Sequence, residues 1–119
     1  MVAYNFQAQF ADAVATGQKR QTIRAPRKDN RHAKPGDKLQ LYTGMRSKSC
    51  RKLIDPDPTC FHVEELTIDR AGIHYTDGGE SMTPEIVARR DGFNNFADMA
   101  DWFEATHGLP FCGFLIRWR

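Results

Sequence analysis

The apolar residues of this chain fall into short segments of strand length, and this pattern restricts the fold more than any other feature. The segment Phe111–Trp118 is apolar almost throughout, whereas Pro56 and Pro58 oppose regular strand pairing between residues 44 and 59. The predicted helices do not alternate regularly with strands, so a doubly wound sheet fits poorly. We therefore expect an α+β fold, a small mixed sheet or partly closed β-barrel of five to six strands. The predicted strands are Gln21–Arg24, 38–43, Cys60–Asp69, 73–76 and Phe111–Trp118.

An N-terminal helix is predicted from a spacing of four residues between apolar side chains. Phe6, Phe10 and Val14 recur at this spacing, which is typical of one helix face and indicates a helix over 5–16. Gly17 follows at the position where a left-handed residue commonly ends a helix.

Two further helices are predicted before the last strand. Thr83 precedes a proline suited to the first helical turn, which indicates a helix over Pro84–Arg90. Asn94 or Asn95 caps a longer helix that ends near His107.

The chain has 119 residues, the size of one domain, and we expect a single domain over 1–119. No apolar stretch approaches the ~20 residues that cross a bilayer. The first residues lack the basic and apolar regions of a signal peptide, so we expect a cytoplasmic protein with reduced cysteines.

The spacing of Cys50, Cys60 and His62 matches no zinc motif, and no cofactor motif occurs, so we expect neither metal nor cofactor.

Basic residues are concentrated in one part of the chain, residues 19–52, called here the basic segment. It holds twelve of the seventeen Lys and Arg residues against two acidic ones, a local charge of +10, and the remainder carries −8. Clustered cations neutralise phosphate groups. The basic segment therefore predicts an anionic partner, such as a nucleotide or single-stranded RNA.

The order of several motifs resembles that of an ASCH domain. The stretch from Gly17 to Arg24 matches the signature Gly-x-Lys-x-x-Thr-x-Arg and follows the N-terminal helix. A Pro-Gly-Asp turn ending at Asp37 leads into a strand, Asp91-Gly92-Phe93 opens a helix, and the last strand ends in Arg-Trp. The resemblance covers nearly the whole chain and implies a PUA-like β-barrel with a cleft beside the signature.

The resemblance also implies a function. The small bacterial ASCH proteins that are similar to this chain include N4-acetylcytidine amidohydrolases, whose acting residues are a Lys, a Thr and a Glu. Lys19 and Thr22 match the first two. The third falls on Asp91, one methylene shorter, with Glu80 as the alternative carboxylate. We expect deacylation of N4-acylated cytidine or cytosine nucleosides. The alternatives are a non-catalytic RNA-binding or regulatory module and, ranked below it, a ribonuclease.

Two assignments of protons are open for this chemistry. Thr22 supplies a hydroxyl nucleophile, and Lys19 can act as its base only when neutral, which requires a lowered pKa. Alternatively, Asp91 or Glu80 is the base and a charged Lys19 stabilises the oxyanion. Residues three apart in a continuous strand point to opposite faces. We therefore predict that Lys19 lies in the turn after Gly17 and that the strand begins at Arg20 or later.

Four further residues are candidates for substrate binding. Arg24 and Arg27 carry planar guanidinium groups that can pair with a phosphate in bidentate fashion, and Arg20 lies beside them in the signature. Tyr42 could stack on a base. The sequence leaves the oligomeric state and the acyl preference open.

Overall fold

Pairing between distant strands organises the molecule. The computed structural model describes residues 2–78 and 82–119, which form three helices and seven strands in two sheets. The elements, in chain order, are β1 (Val2–Phe6), α1 (Ala8–Ala15), β2 (Gln21–Arg24), β3 (Leu39–Thr43), β4 (Arg51–Lys52), β5 (Cys60–Asp69), β6 (Gly72–Tyr75), α2 (Pro84–Arg90), α3 (Phe96–Thr106) and β7 (Phe111–Trp118).

The first sheet has the strand order β1-β3-β4. Its first strand corrects the sequence prediction, because residues 2–6 are extended and the helix begins only at Ala8. Tyr4 and Phe6 alternate with exposed Asn5 and are both buried, as a strand with one covered face requires. β1 runs parallel to β3, with Val2 opposite Leu39. This partner lies far along the chain, and local spacing could not reveal it.

The second sheet has the strand order β2-β7-β5-β6 and is antiparallel throughout. β7 is central, as expected for the most apolar segment of the chain. The register of β5 shifts between Cys60 and His62, which face Trp118 and Arg117 of β7. Phe61 is therefore the extra residue of a β-bulge.

The two sheets approach each other near Thr59. Thr59 forms an isolated antiparallel bridge with Lys38. Its backbone also exchanges two hydrogen bonds with that of Arg119, at 2.9 and 3.0 Å. Within the described residues the strands form two sheets and no closed barrel. The α+β class is confirmed. None of the described helices is long and apolar enough to cross a membrane.

The first turns of α2 and α3 follow local signals in the sequence. The Thr83 hydroxyl accepts a hydrogen bond from the Ile86 amide at 3.3 Å, and the Asn95 side chain accepts one from the Asp98 amide at 2.7 Å. Thr83 was predicted as a cap, and Asn95 is the one of the two predicted candidates, Asn94 and Asn95, that caps α3. α2 and α3 pack over the second sheet in a core that includes Met99.

Candidate active site

A cleft of about 200 Å³ lies between the signature stretch, the end of α2 and one face of α3. Lys19, Thr22 and Asp91 all line it. These are the three residues for which the resemblance implies a catalytic role. The fold therefore brings together side chains that are 72 residues apart in the case of Lys19 and Asp91.

Lys19 reaches the cleft because it lies in a turn and not in the strand. Gly17 has a φ of +82°, in the left-handed region that favours glycine. The Lys19 amide then donates to the carbonyl of Ala13 at 2.9 Å, and β2 begins only at Gln21. The predicted break between Lys19 and the strand is confirmed. It explains how Lys19 and Thr22 line one cavity in spite of their odd spacing.

Lys19 and Asp91 form a buried ion pair. The Lys19 Nζ lies 3.0 Å from Asp91 Oδ1 and donates to the Asp91 backbone carbonyl at 2.5 Å. The two side chains are only 3% and 7% exposed. Burial lowers the pKa of Lys19 from its ordinary value of 10.5, although the Asp91 carboxylate opposes this shift. Lys19 is thus moved toward the neutral form that a base requires.

Asp91 is held by a residue that the sequence did not single out. Gln21 is buried, and its Nε2 donates to Asp91 Oδ1 and to the Val87 carbonyl, both at 3.2 Å. Asp91 itself is the C-terminal cap of α2. The sequence predicted that Asp91 opens a helix, and this prediction is wrong because α3 begins only at Phe96. A glutamine between polar neighbours carries no signal of this role in sequence.

Close packing brings the chain after α2 against Lys19. Gly92 has a φ of +103°, and a Cβ there would lie 3.3 Å from Cδ1 of Phe10 and 3.7 Å from Cδ of Lys19. Glycine allows both this backbone conformation and the close approach. Gly92 therefore helps to set the position of Asp91 beside Lys19.

Thr22 is the hydroxyl of the cleft. It is buried, and its Oγ1 accepts a hydrogen bond from Arg24 Nε at 2.9 Å. Because the oxygen accepts from a guanidinium, the hydroxyl proton is free to be donated to another group. Arg24 is fixed by a second hydrogen bond, from Nη2 to the Asn5 carbonyl at 2.7 Å. Burial lowers the pKa of Arg24 to about 10.

The other predicted site residues are placed differently. Of the four candidates for substrate binding, only Arg24 lines the cleft. Arg27 donates to the Ala3 carbonyl at 2.8 Å and lies over the Tyr4 ring. Tyr42 lies on β3 opposite Lys52 in the first sheet. Arg20 lines a separate groove.

Glu80, the alternative carboxylate, lies outside the described residues. Asp91 is the carboxylate that lines the cleft within the described residues.

Aromatic side chains form one wall of the cleft. Phe10 and Trp102 both line it, and their ring centroids lie 5.7 Å apart with nearly perpendicular planes. The Lys19 Nζ lies 5.1 Å from the centroid of Phe10. Trp102 is half-buried, and it both packs against the core and lines the cavity.

A comparison of the chain with known protein families, with curated proteins and with solved structures found no match. Among the described residues, no group of three or more His, Cys, Asp or Glu side chains is arranged to hold a metal ion.

Proposed function

We propose that this chain is an ASCH-type amidohydrolase that removes the acyl group from N4-acylated cytidine or cytosine nucleosides. The observation that supports the proposal most directly is the buried Lys19–Asp91 pair in the same cleft as Thr22. A buried charge pair is costly to desolvate, and perturbed titratable groups are concentrated at functional sites.

The hydrogen bonds of Lys19 fit the role of a general base. A neutral amine has two protons, and Asp91 offers two acceptors, its carbonyl and Oδ1. Satisfying both leaves the lone pair of the nitrogen free for a proton from another donor. The lowered pKa of Lys19 favours the same state.

The proposed reaction proceeds in two stages, transfer of the acyl group to Thr22 and hydrolysis of the resulting ester. Thr22 Oγ1 bonds to the acyl carbon while its proton passes to Lys19, and the carbonyl becomes an oxyanion that Arg24 stabilises. The bond from carbon to N4 then breaks, and the ammonium of Lys19 returns its proton to the departing amine. Water hydrolyses the resulting Thr22 ester, releasing the carboxylic acid and restoring the hydroxyl.

The lining of the cleft favours a flat pyrimidine base, and its volume of about 200 Å³ is below the roughly 300–1,000 Å³ of pockets that enclose drug-sized ligands. The flat rings of Phe10 and Trp102 provide a surface against which a pyrimidine can pack. The contact between the two sheets at Thr59 is compatible with an incompletely closed, PUA-like barrel, which we propose as the finer description of the fold.

The test is the release of cytidine from N4-acetylcytidine by the purified protein. We expect turnover by the unchanged chain and a loss of at least about 10³-fold in kcat for Thr22→Val, which keeps the shape of the side chain but removes the nucleophile. Thr22→Ser keeps a hydroxyl and should retain measurable activity. Lys19→Ala and Asp91→Ala should also lose turnover.

Thr67→Val is the matched control, because Thr67 lies on β5 of the same sheet and does not line the cleft. It should keep kcat within about twofold, since it touches no reacting group. Circular dichroism confirms that each variant is folded. An inactive parent chain, or a folded Thr22→Val variant with full activity, would overturn the proposal.

A further inference from the structure

A second cavity, called here the arginine groove, adjoins the beginning of β2. It has a volume of about 420 Å³, and its lining includes Arg20, Arg90, Arg117, Arg119 and Phe61. The described lining contains no acidic residue. Three of these arginines lie outside the basic segment, so the fold has assembled a cationic surface from separate parts of the chain.

The four guanidinium groups have no acidic partner in the described structure. None of them forms an ion pair with a described carboxylate, although Arg70 does so twice elsewhere on the surface. Burial and the nearby charge of Arg90 together lower the pKa of Arg117. The arginines therefore repel one another, and an anion in the groove would relieve this repulsion.

The β-bulge at Phe61 gives the groove a rigid support. The ring of this extra residue lies 4.9 Å from the guanidinium carbon of Arg117 and 4.8 Å from that of Arg119. Cation–π contacts of this kind restrict long side chains before any ligand arrives. Bulges commonly redirect a side chain beside a functional surface.

The spacing of the charges fits a repeating anion. Arg117 and Arg119 are two residues apart on extended chain, which separates their backbone positions by about 7 Å. Arg20 and Arg90 extend the array from other elements. Successive phosphates of an extended single strand can pair with charges distributed in this way.

We propose that the arginine groove binds the phosphate backbone of single-stranded RNA. This inference is independent of the deacylase proposal, because no residue assigned there to catalysis belongs to the groove. The groove differs from the cleft in the ways expected of a binding site for a nucleic-acid strand. It is larger, contains four cations, and offers guanidinium groups suited to bidentate contacts with phosphate.

The test measures binding of a short fluorescent single-stranded RNA by anisotropy at several salt concentrations. We expect Arg117→Ala/Arg119→Ala to reduce the slope of log K against log[salt] by about 1.4, since each phosphate contact on a single strand contributes about 0.7. At 0.1 M salt the same two contacts correspond to a loss of about 25-fold in affinity. Arg117→Lys/Arg119→Lys keeps the charges and should lose far less.

Lys28→Ala/Arg31→Ala is the charge-matched control, since it removes two exposed cations of the basic segment outside the groove. Equal weakening by this variant and by Arg117→Ala/Arg119→Ala would overturn the assignment to the groove. Displacement of the RNA by an equimolar amount of cytidine monophosphate would overturn the assignment to a strand. Full deacylation activity in Arg117→Ala/Arg119→Ala would show that the two proposals fail or succeed separately.

Discussion

The cleft and the arginine groove both adjoin β2, but they differ in the burial and pairing of their cationic side chains. In the cleft, Lys19 is almost fully buried and is paired with Asp91, and Arg24 is held by the Asn5 carbonyl. In the groove, the arginines are exposed or half-exposed and lack acidic partners among the described residues. A cation removed from water needs a partner and acquires a perturbed pKa, whereas a cation left in water keeps its charge available for a ligand.

The two environments arise from neighbouring residues. Lys19 lines the cleft and Arg20 the groove, while Gln21 lines the groove and Thr22 the cleft. Lys19 and Thr22 share the cleft because Lys19 lies in the turn and β2 begins only at Gln21. One short stretch of the signature therefore contributes to a proposed reaction site and to a proposed binding surface.

The largest expected difference between the two regions is in stability. We predict that Lys19→Met lowers the free energy of unfolding by about 3–5 kcal/mol, because it leaves the Asp91 carboxylate buried without its partner. Adding Asp91→Leu should recover much of the loss, since no unpaired charge then remains. Denaturant unfolding measures both variants. A loss from Lys19→Met below about 1 kcal/mol would mean that the pair is not buried in solution.

The second largest expected difference between the two regions is in the salt dependence of their activities. With four phosphate contacts in the groove, RNA affinity is expected to fall about 50-fold between 50 and 200 mM salt. The kcat/KM for uncharged N4-acetylcytidine should change less than about twofold over the same range, because the cleft pair is buried and poorly screened. Anisotropy and an activity assay in the same buffers make this comparison. Parallel salt dependence of both quantities would contradict two separate sites.

The pH dependence of deacylation tests the charge state of Lys19. If neutral Lys19 is the base, kcat/KM rises about tenfold per pH unit and levels off above the pKa of Lys19. Burial lowers that pKa, so the plateau should begin below pH 10.5. An activity that falls over the same range would show instead that the charged ammonium is required, with Asp91 as the base.

The smallest expected effect is the stability change at the groove. Arg117→Ala should cost no more than about 0.5–1 kcal/mol, because a half-exposed cation–π contact with Phe61 is weak and repulsion from Arg90 is removed. Thermal or denaturant unfolding measures the change. A loss as large as that of Lys19→Met would mean that Arg117 serves the fold and not a ligand.

Sequence reasoning succeeded where the signal is local. Thr83 caps α2 as predicted, and α3 is capped by Asn95, one of the two predicted candidates. Each side chain satisfies an amide only three residues away. It failed at β1, where the spacing of Phe6 and Phe10 suggested a helix from residue 5. The hydrogen-bonding partner of this strand is β3, and only the tertiary structure supplies it.

The same distinction between local signals and distant partners applies to the residues of the candidate site. Lys19 and Thr22 were found because they occur in one recognisable stretch, and the need for a turn at Lys19 followed from the alternation of side chains in a strand. Gln21 was missed because its amide acts on Asp91, which is distant in sequence. The support that Phe61 gives to the arginines was missed because a β-bulge depends on the register between two strands.

The sequence by itself determined the first turns of α2 and α3, most strands and the residues able to carry charge or a nucleophile, because these depend on neighbours within a few positions. Only the tertiary structure decided which charges are buried with a partner and which remain exposed. Burial and pairing depend on elements that meet across the fold, and they set whether a lysine becomes a candidate base or an arginine remains a ligand for phosphate.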